Sequence, residues 1–339
     1  MTQQKRRVLF HRSWTKFNGG TSGGQLKVRD AFEHFQHSDQ FQPFVFFGEE
    51  TIWFDNPGNL WLRYRDIGIE EWRIRPDDIL FFAGVDWKIL SPRDRQHPPV
   101  PVINIAQPRQ TDPHDKRHDY LHHPAIRIAK SSLGKQILED FGVNGPVFCI
   151  PDAIDRDLLP APNDQTDLDI LVVGLKNPDM AAALDRRLHQ LRARSMPDLR
   201  FAVQTPPKLP TRQDFLNLLN RARIVAFLPL EEDQGAEGFY LPALEAMAMK
   251  KLVICPFAIG NVDFCIADRT CLLPRYTETD IFQAIQQALS MPAERQQAMI
   301  DAGYAISDNH TLDKERQALL DLLHHADEIW SQKDLFQTR

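Results

Sequence analysis

Short apolar runs alternate along this chain with longer stretches of helical period. Runs rich in Val, Ile and Phe occur at 8–11 (VLFH), 44–47 (FVFF), 79–83 (ILFFA), 101–106 (PVINIA), 126–129 (IRIA) and 147–150 (VFCI). They recur at 169–174 (DILVVG), 200–203 (RFAV), 224–230 (IVAFLPL) and 252–255 (LVIC). Such alternation is the pattern of parallel sheets with crossover helices. Between the two sets, residues 158–168 concentrate Pro, Asn and Asp, as a linker would. The expected organisation is an N-terminal Rossmann-like domain over 1–157, a linker over 158–168 and a second Rossmann-like domain over 169–310. The stretch 311–339 opens with Thr311 as a cap and keeps Leu at helical spacing, so it is expected to form a helix long enough to pack back on the first domain. The fold class is α/β, with two doubly wound parallel-sheet domains facing across a cleft. Ligands of open parallel sheets bind outside the carboxyl ends of the strands, so the turns there carry most of the functional weight.

Composition narrows the classes. A chain of 339 residues with 42% hydrophobic and 25% charged residues reads as a soluble globular protein of about two domains. A formal net charge of −6 argues against a dedicated nucleic-acid binder. The apolar run after the basic opening is too short for a signal peptide, and no stretch of 18 apolar residues occurs, so a cytoplasmic location is expected. Cys149, Cys255, Cys265 and Cys271 sit singly with no C-x-x-C pair, which reads as reduced core residues without a function.

The chemistry concentrates in EGFYLPALEAMAMKKLVI, from Glu237 to Ile254. The preceding strand ends at Leu230, an acidic loop follows, and Pro242 fits the first turn of a helix beginning near Leu241. A helix start presents unpaired N–H groups and a partial positive charge, so the amides near Phe239, Tyr240 and Leu241 could cradle a phosphate, with Gly238 allowing close backbone approach. Glu237 before the turn and Glu245 within the helix would repel a phosphate, yet suit neutral hydroxyl groups. Sugars flank the phosphates in a nucleotide-sugar. An ordinary helix carrying two acidic residues would show the same spacing.

In its context, EGF-x-LP-x-LEAMA, the segment resembles the E-x7-E signature of retaining glycosyltransferases with the two-Rossmann GT-B fold, especially the family-4-like group. The resemblance implies that Glu245 holds the nucleotide ribose and that Glu237 lies against the donor sugar. It implies also that Gly238, Phe239, Tyr240 and Leu241 hold the donor's sugar and phosphate. Other segments are similar in order: Gly23-Gly24 resembles the diglycine opening the first helix beside the diphosphate, though a flexible turn would look the same. IRIAKSSLGKQILEDFGV and VFCIPDAID resemble the end of the first domain, ILVVGLKNP with Gly174 and Lys176 resembles the opening of the second, and IGN at 259–261 a Gly-rich loop. The family pairs an Arg with a Lys at that opening; here Lys176 stands alone, leaving Lys208 or Arg212 to supplement the charge. Lys250 replaces the motif's Gly, and Leu252 its Pro.

The activity implied is retaining, metal-independent glycosyl transfer without a cofactor. A nucleotide-sugar is the donor substrate, and Lys176 with the amides at 238–241 stabilises the leaving diphosphate. The acceptor would be a glycan or lipid-linked glycan of cell-surface polysaccharide, lipopolysaccharide included. A non-catalytic nucleotide- or sugar-binding protein and a sugar-nucleotide epimerase are the alternatives. The D-x-D patterns at 155–157 and 167–169 fall in or beside the linker and read as solvated acids. On the acceptor side, Asp86 could touch a sugar on which Trp87 stacks, although a helix cap and a buried aromatic fit the same residues. Trp53, Trp61 and Trp72 read as core or lid. Gln107, Arg109, His114 and His118 are acceptor-side candidates in a stretch where a solvated face, phosphate contact, or an H-x-x-x-H metal site continued by His122 are further readings. Lys5, Arg6 and Arg7 suggest peripheral contact with the inner face of a membrane, but three basic residues do not decide it.

Overall fold

The computed structural model describes residues 4–15, 23–56, 58–163, 165–230 and 237–337. The chain divides into two compact units, Met1–Pro151 together with Asp313–Arg339, and Asp152–Leu312.

In the first unit, β1 (Arg6–Arg12), β2 (Phe41–Phe47), β3 (Ile79–Ala83), β4 (Val102–Ile105), β5 (Ile126–Ala129) and β6 (Val147–Cys149) form one parallel sheet in the order β2-β1-β3-β4-β5-β6. Each strand falls on one of the apolar runs. The helices are α1 (Gly23–Gln36), α2 (Pro92–Gln96) and α3 (Ser132–Phe141). Helix α1 lays Phe32 and Phe35 onto the sheet, where Phe10 meets Phe32 edge-on at 5.3 Å and Phe81 at 4.9 Å. Ser131 caps α3 by accepting from the Gly134 amide at 3.1 Å, and Gly142 ends it at φ 76°, a conformation that favours glycine.

The second unit repeats the plan with β7 (Leu168–Val173), β8 (Phe201–Gln204), β9 (Ala222–Phe227) and β10 (Leu252–Ile254), all parallel in the order β10-β9-β7-β8. Its helices are α4 (Pro178–Arg194), α5 (Arg212–Arg221), α6 (Leu241–Ala248), α7 (Glu278–Ser290) and α8 (Ala293–Ser307). In each sheet the chain builds outward on one side of its first strand and then crosses to the other. The reversals lie between β1 and β3 and between β7 and β9, and such switch points are where open sheets take ligands. Cys149 is exposed, whereas Cys255, Cys265 and Cys271 are buried. Single in the sequence, these three come together in the fold, where the Cys265 thiol meets both others and burial pushes it well above the usual thiol range.

The C-terminal stretch forms α9 (Leu312–His324) and, after a break at His325, α10 (Ala326–Ser331). Leu319, Leu322 and Leu323 join the first unit's core beside Phe10 and Phe35. No described helix is long and apolar enough to cross a membrane. Glu315 on α9 is buried with Lys27 Nζ at 2.7 Å, His34 Nε2 at 3.1 Å and Lys130 Nζ at 3.9 Å. Burial would raise its pKa, but the Lys27 ammonium, the His34 ring and the Lys130 ammonium hold it down at about 2. A carboxyl depressed below its ordinary 4.5 contributes stability above that pH and loses it as pH falls toward 2. Glu315→Gln should cost about 3–5 kcal/mol, the range for breaking a buried pair. Urea denaturation from pH 6 to 3 should show a shallower acid loss for the variant; parallel curves would refute the assignment.

Candidate functional site

The turns after β7 and β9 flank the second switch point and bring Lys176 to Glu237. Lys176 Nζ donates to Glu237 Oε1 at 2.7 Å, and the Leu230 amide donates to the same oxygen at 3.2 Å. The carboxylate side chain is 11% exposed and the lysine 43%. Gly174, expected as a donor contact, has a packing role: a Cβ there would lie 2.1 Å from that of Ala181, so its absence lets α4 close onto β7. Its amide is committed to Gln204 O at 2.8 Å.

Helix α6 begins at Leu241 with Pro242 in its first turn. The turn before it rests on Gly260, where a Cβ would come within 2.4 Å of Phe239 N and 2.6 Å of Gly238 C. The Gly260 carbonyl accepts from the Tyr240 amide at 3.3 Å, which corrects the expected phosphate cradle by taking one donor out of it. The amides of Gly238, Phe239 and Leu241 have no hydrogen-bond partner among the described residues. The Tyr240 ring is buried edge-on to Phe227 at 5.7 Å.

Glu245 points inward from α6 and is 1% exposed. Its Oε1 accepts from Arg212 Nη2, while Oε2 has no partner among the described residues. A buried carboxylate oxygen without a donor is costly unless something supplies one. Arg212 opens α5, whose cap is a reciprocal box in which Thr211 Oγ1 accepts from the Asp214 amide and Asp214 Oδ2 from the Thr211 amide, both at 3.1 Å. Four residues earlier, Lys208 is an exposed residue, yet desolvation and then the neighbouring Lys176 charge hold its pKa below the usual lysine range. We read it as an accessible cation beside a second one. Of the two residues expected to supplement the charge of Lys176, Arg212 is paired with Glu245 and Lys208 feels the Lys176 charge.

The first unit's switch point carries another pair. Arg12, the last residue of β1, donates from Nη1 to both Asp86 oxygens at 3.1 and 3.3 Å, and the Ala83 amide donates to Oδ2 at 2.8 Å. His11 Nδ1 lies 3.9 Å from Asp86 Oδ1. Burial pushes Asp86 up to about 6 despite the opposing pull of Arg12, and burial with the Arg12 charge pushes His11 down to about 4. Sequence reasoning missed His11 and Arg12; their place at the end of the first strand was the available signal. Trp87 is fully buried, which decides between its two readings in favour of the buried aromatic, and Trp61 is core as well.

The remaining candidates are dispersed. Gln107 caps a short 3-10 helix over Pro108–Thr111 that contains Arg109. His114 is exposed on a turn, whereas His118 opens a separate 3-10 helix over His118–His122, its ring 5.5 Å from that of His122 and 5.4 Å from that of Phe141. His114 and His118 thus share no helix face. Among the described residues, no three His, Cys, Asp or Glu side chains are grouped to hold a metal. Gly23 and Gly24 open α1, and a Cβ at either position would meet nothing within 4 Å, while 18–22 lie outside the described residues. Asp155 caps a 3-10 turn, Asp167 pairs with Arg221 and Asp169 with Arg200. Of the basic opening, Lys5 donates to Ser38 O, Arg6 pairs with Asp327 and Arg7 with Asp78. Lys250 sits at φ 56°, a conformation natural to the Gly it replaces in the motif.

No protein-family model matches the chain, and no curated protein matches it by sequence. Solved structures do. Sucrose-phosphate synthase from Thermosynechococcus elongatus is 14% identical with a TM-score of 0.66, covering 96% of this chain and 100% of that one. HepE from Anabaena in complex with UDP-glucose is 14% identical with a TM-score of 0.68, over 94% and 100%. An alpha,alpha-trehalose 6-phosphate synthase from Burkholderia multivorans is 15% identical with a TM-score of 0.65, over 99% and 100%. At such identity the likeness shows the fold, which is the two-domain α/β fold of GT-B glycosyltransferases.

Gly260→Ala should lower stability by about 1–3 kcal/mol through overpacking against the Gly238–Phe239 backbone. An unchanged urea midpoint would mean that the turn has room to move.

Proposed function

We propose that the chain is a retaining glycosyltransferase that moves a sugar from a nucleotide-sugar donor to a glycan or lipid-linked glycan in cell-surface polysaccharide synthesis. One observation carries the reading: the amides at 238, 239 and 241, without a hydrogen-bond partner among the described residues, lie between two desolvated carboxylates that pair with Lys176 and Arg212. A diphosphate is the ligand fragment that such amides and cations suit, and the hydroxyl-bearing groups on either side of it suit Glu237 and Glu245.

In this reading Glu245 accepts from the ribose diol, using its unpartnered Oε2, and Glu237 accepts from a hydroxyl of the donor sugar. The cations and amides receive charge as the bond to the anomeric carbon breaks, which stabilises the leaving group without covalent chemistry. Inversion would need a general base on the acceptor, whereas the family resemblance favours a front-face route with no protein nucleophile. Asp86 and the Gln107–His118 segment are the candidate acceptor contacts. HepE was solved with UDP-glucose, so a uridine diphosphate sugar is the first donor to test.

Incubation with a panel of nucleotide-sugars and oligosaccharide acceptors should give glycan extension with the donor's anomeric configuration, read by NMR. Binding without turnover would instead indicate a binding protein, and donor conversion without acceptor an epimerase. Glu245→Ala should weaken nucleoside diphosphate binding by about 1.5–3 kcal/mol, the worth of a charge-assisted hydrogen bond, and unchanged calorimetric affinity would contradict its role. Glu237→Ala should depress turnover more than affinity; equal losses would count against separate roles.

A further inference from the structure

Arg212 stands in an unusual position for a cation beside a nucleotide site. It occupies one oxygen of the carboxylate that the proposed function assigns to a neutral diol. Glu245 is almost wholly buried, and a buried carboxylate without a counter-charge is strongly unfavourable, so the guanidinium is needed while the site is empty. The Arg212 side chain is itself 25% exposed and stands at the first residue of α5, where solvent and ligand can reach it. Lys208, four residues before it, has no ion pair or hydrogen bond among the described residues and feels the charge of Lys176.

We propose that Arg212 is a transferable counter-ion: it neutralises Glu245 in the empty site and passes to the diphosphate when a nucleoside diphosphate binds, joining Lys176 and Lys208. This rests on the nucleotide-sugar reading of the turn. The exchange makes the site selective for the diphosphate over the bare nucleoside. A nucleoside brings a diol that competes with the guanidinium for Glu245 Oε1 and offers that cation nothing in return. A diphosphate offers the planar fork a bidentate partner, and the release of Oε1 beside the open Oε2 gives the diol two acceptors. Ribose and phosphate recognition are thereby coupled through one side chain.

Calorimetry with UDP, GDP and ADP, each paired with its nucleoside, tests the exchange in the full-length protein. Arg212→Gln should weaken the preferred diphosphate by about 10- to 100-fold while binding the matching nucleoside at least as tightly as wild type. Arg212→Lys, which keeps a cation and serves as the folding control, should retain part of the diphosphate affinity. Equal losses of nucleoside and diphosphate in Arg212→Gln would show that Arg212 merely straps Glu245 in place, and unchanged diphosphate affinity would also overturn the exchange. Wild-type protein that binds none of the three diphosphates would remove the nucleotide-sugar reading itself, an outcome separate from either of these.

Discussion

A carboxylate taken out of water has to be met by a cation, and the functional architecture of this chain is a set of solutions to that constraint. Glu237 meets Lys176, Glu245 meets Arg212, Asp86 meets Arg12 and Glu315 meets Lys27. The acids are alike in being buried, but the cations differ. Lys27 is 3% exposed and Arg12 11%, whereas Arg212 is 25% and Lys176 43%. A cation sealed beside its acid can only hold elements together, because freeing it would leave both charges desolvated. One that reaches solvent can change partners. That difference separates the Glu315 cluster, which ties α9 to α1, from the two pairs around the α6 turn.

The pairs also follow from topology. In each unit the chain reverses direction across its sheet, and the turns beside the reversal cannot be filled by a crossover helix, so side chains from two strands meet there. Arg12 and Asp86 meet at the first reversal, Lys176 and Glu237 at the second. Backbone donors refine the second site further. Gly260 presses against the turn and takes the Tyr240 amide, so the amides left without a partner among the described residues are those of Gly238 and Phe239 before it and of Leu241, the first residue of α6, after it.

Likeness to solved glycosyltransferases at 14–15% identity over nearly the whole chain fits this picture. A parallel sheet asks for apolar residues of about the right size and tolerates many sequences. A site depends on particular atoms, and there the chain departs from the motif it resembles, with Lys176 alone where that motif pairs an Arg with a Lys.

All ten strands among the described residues were legible as apolar runs, because a strand of a parallel sheet records much of its burial in its own residues. The start of α6 was legible for an equally local reason, Pro242 in the first turn. So were Glu237 and Glu245, through their spacing about that turn. The partners were not. Lys176 lies 61 positions from Glu237, Arg212 33 from Glu245 and Arg12 74 from Asp86, and periodicity within an element says which face is buried but not whose charge it will meet. Nor could it show that Cys255, Cys265 and Cys271 converge, or that Tyr240 gives up its amide to Gly260. Local pattern determined the elements and their order; the reversal of each sheet and the desolvation it imposes decided which cation answers which acid.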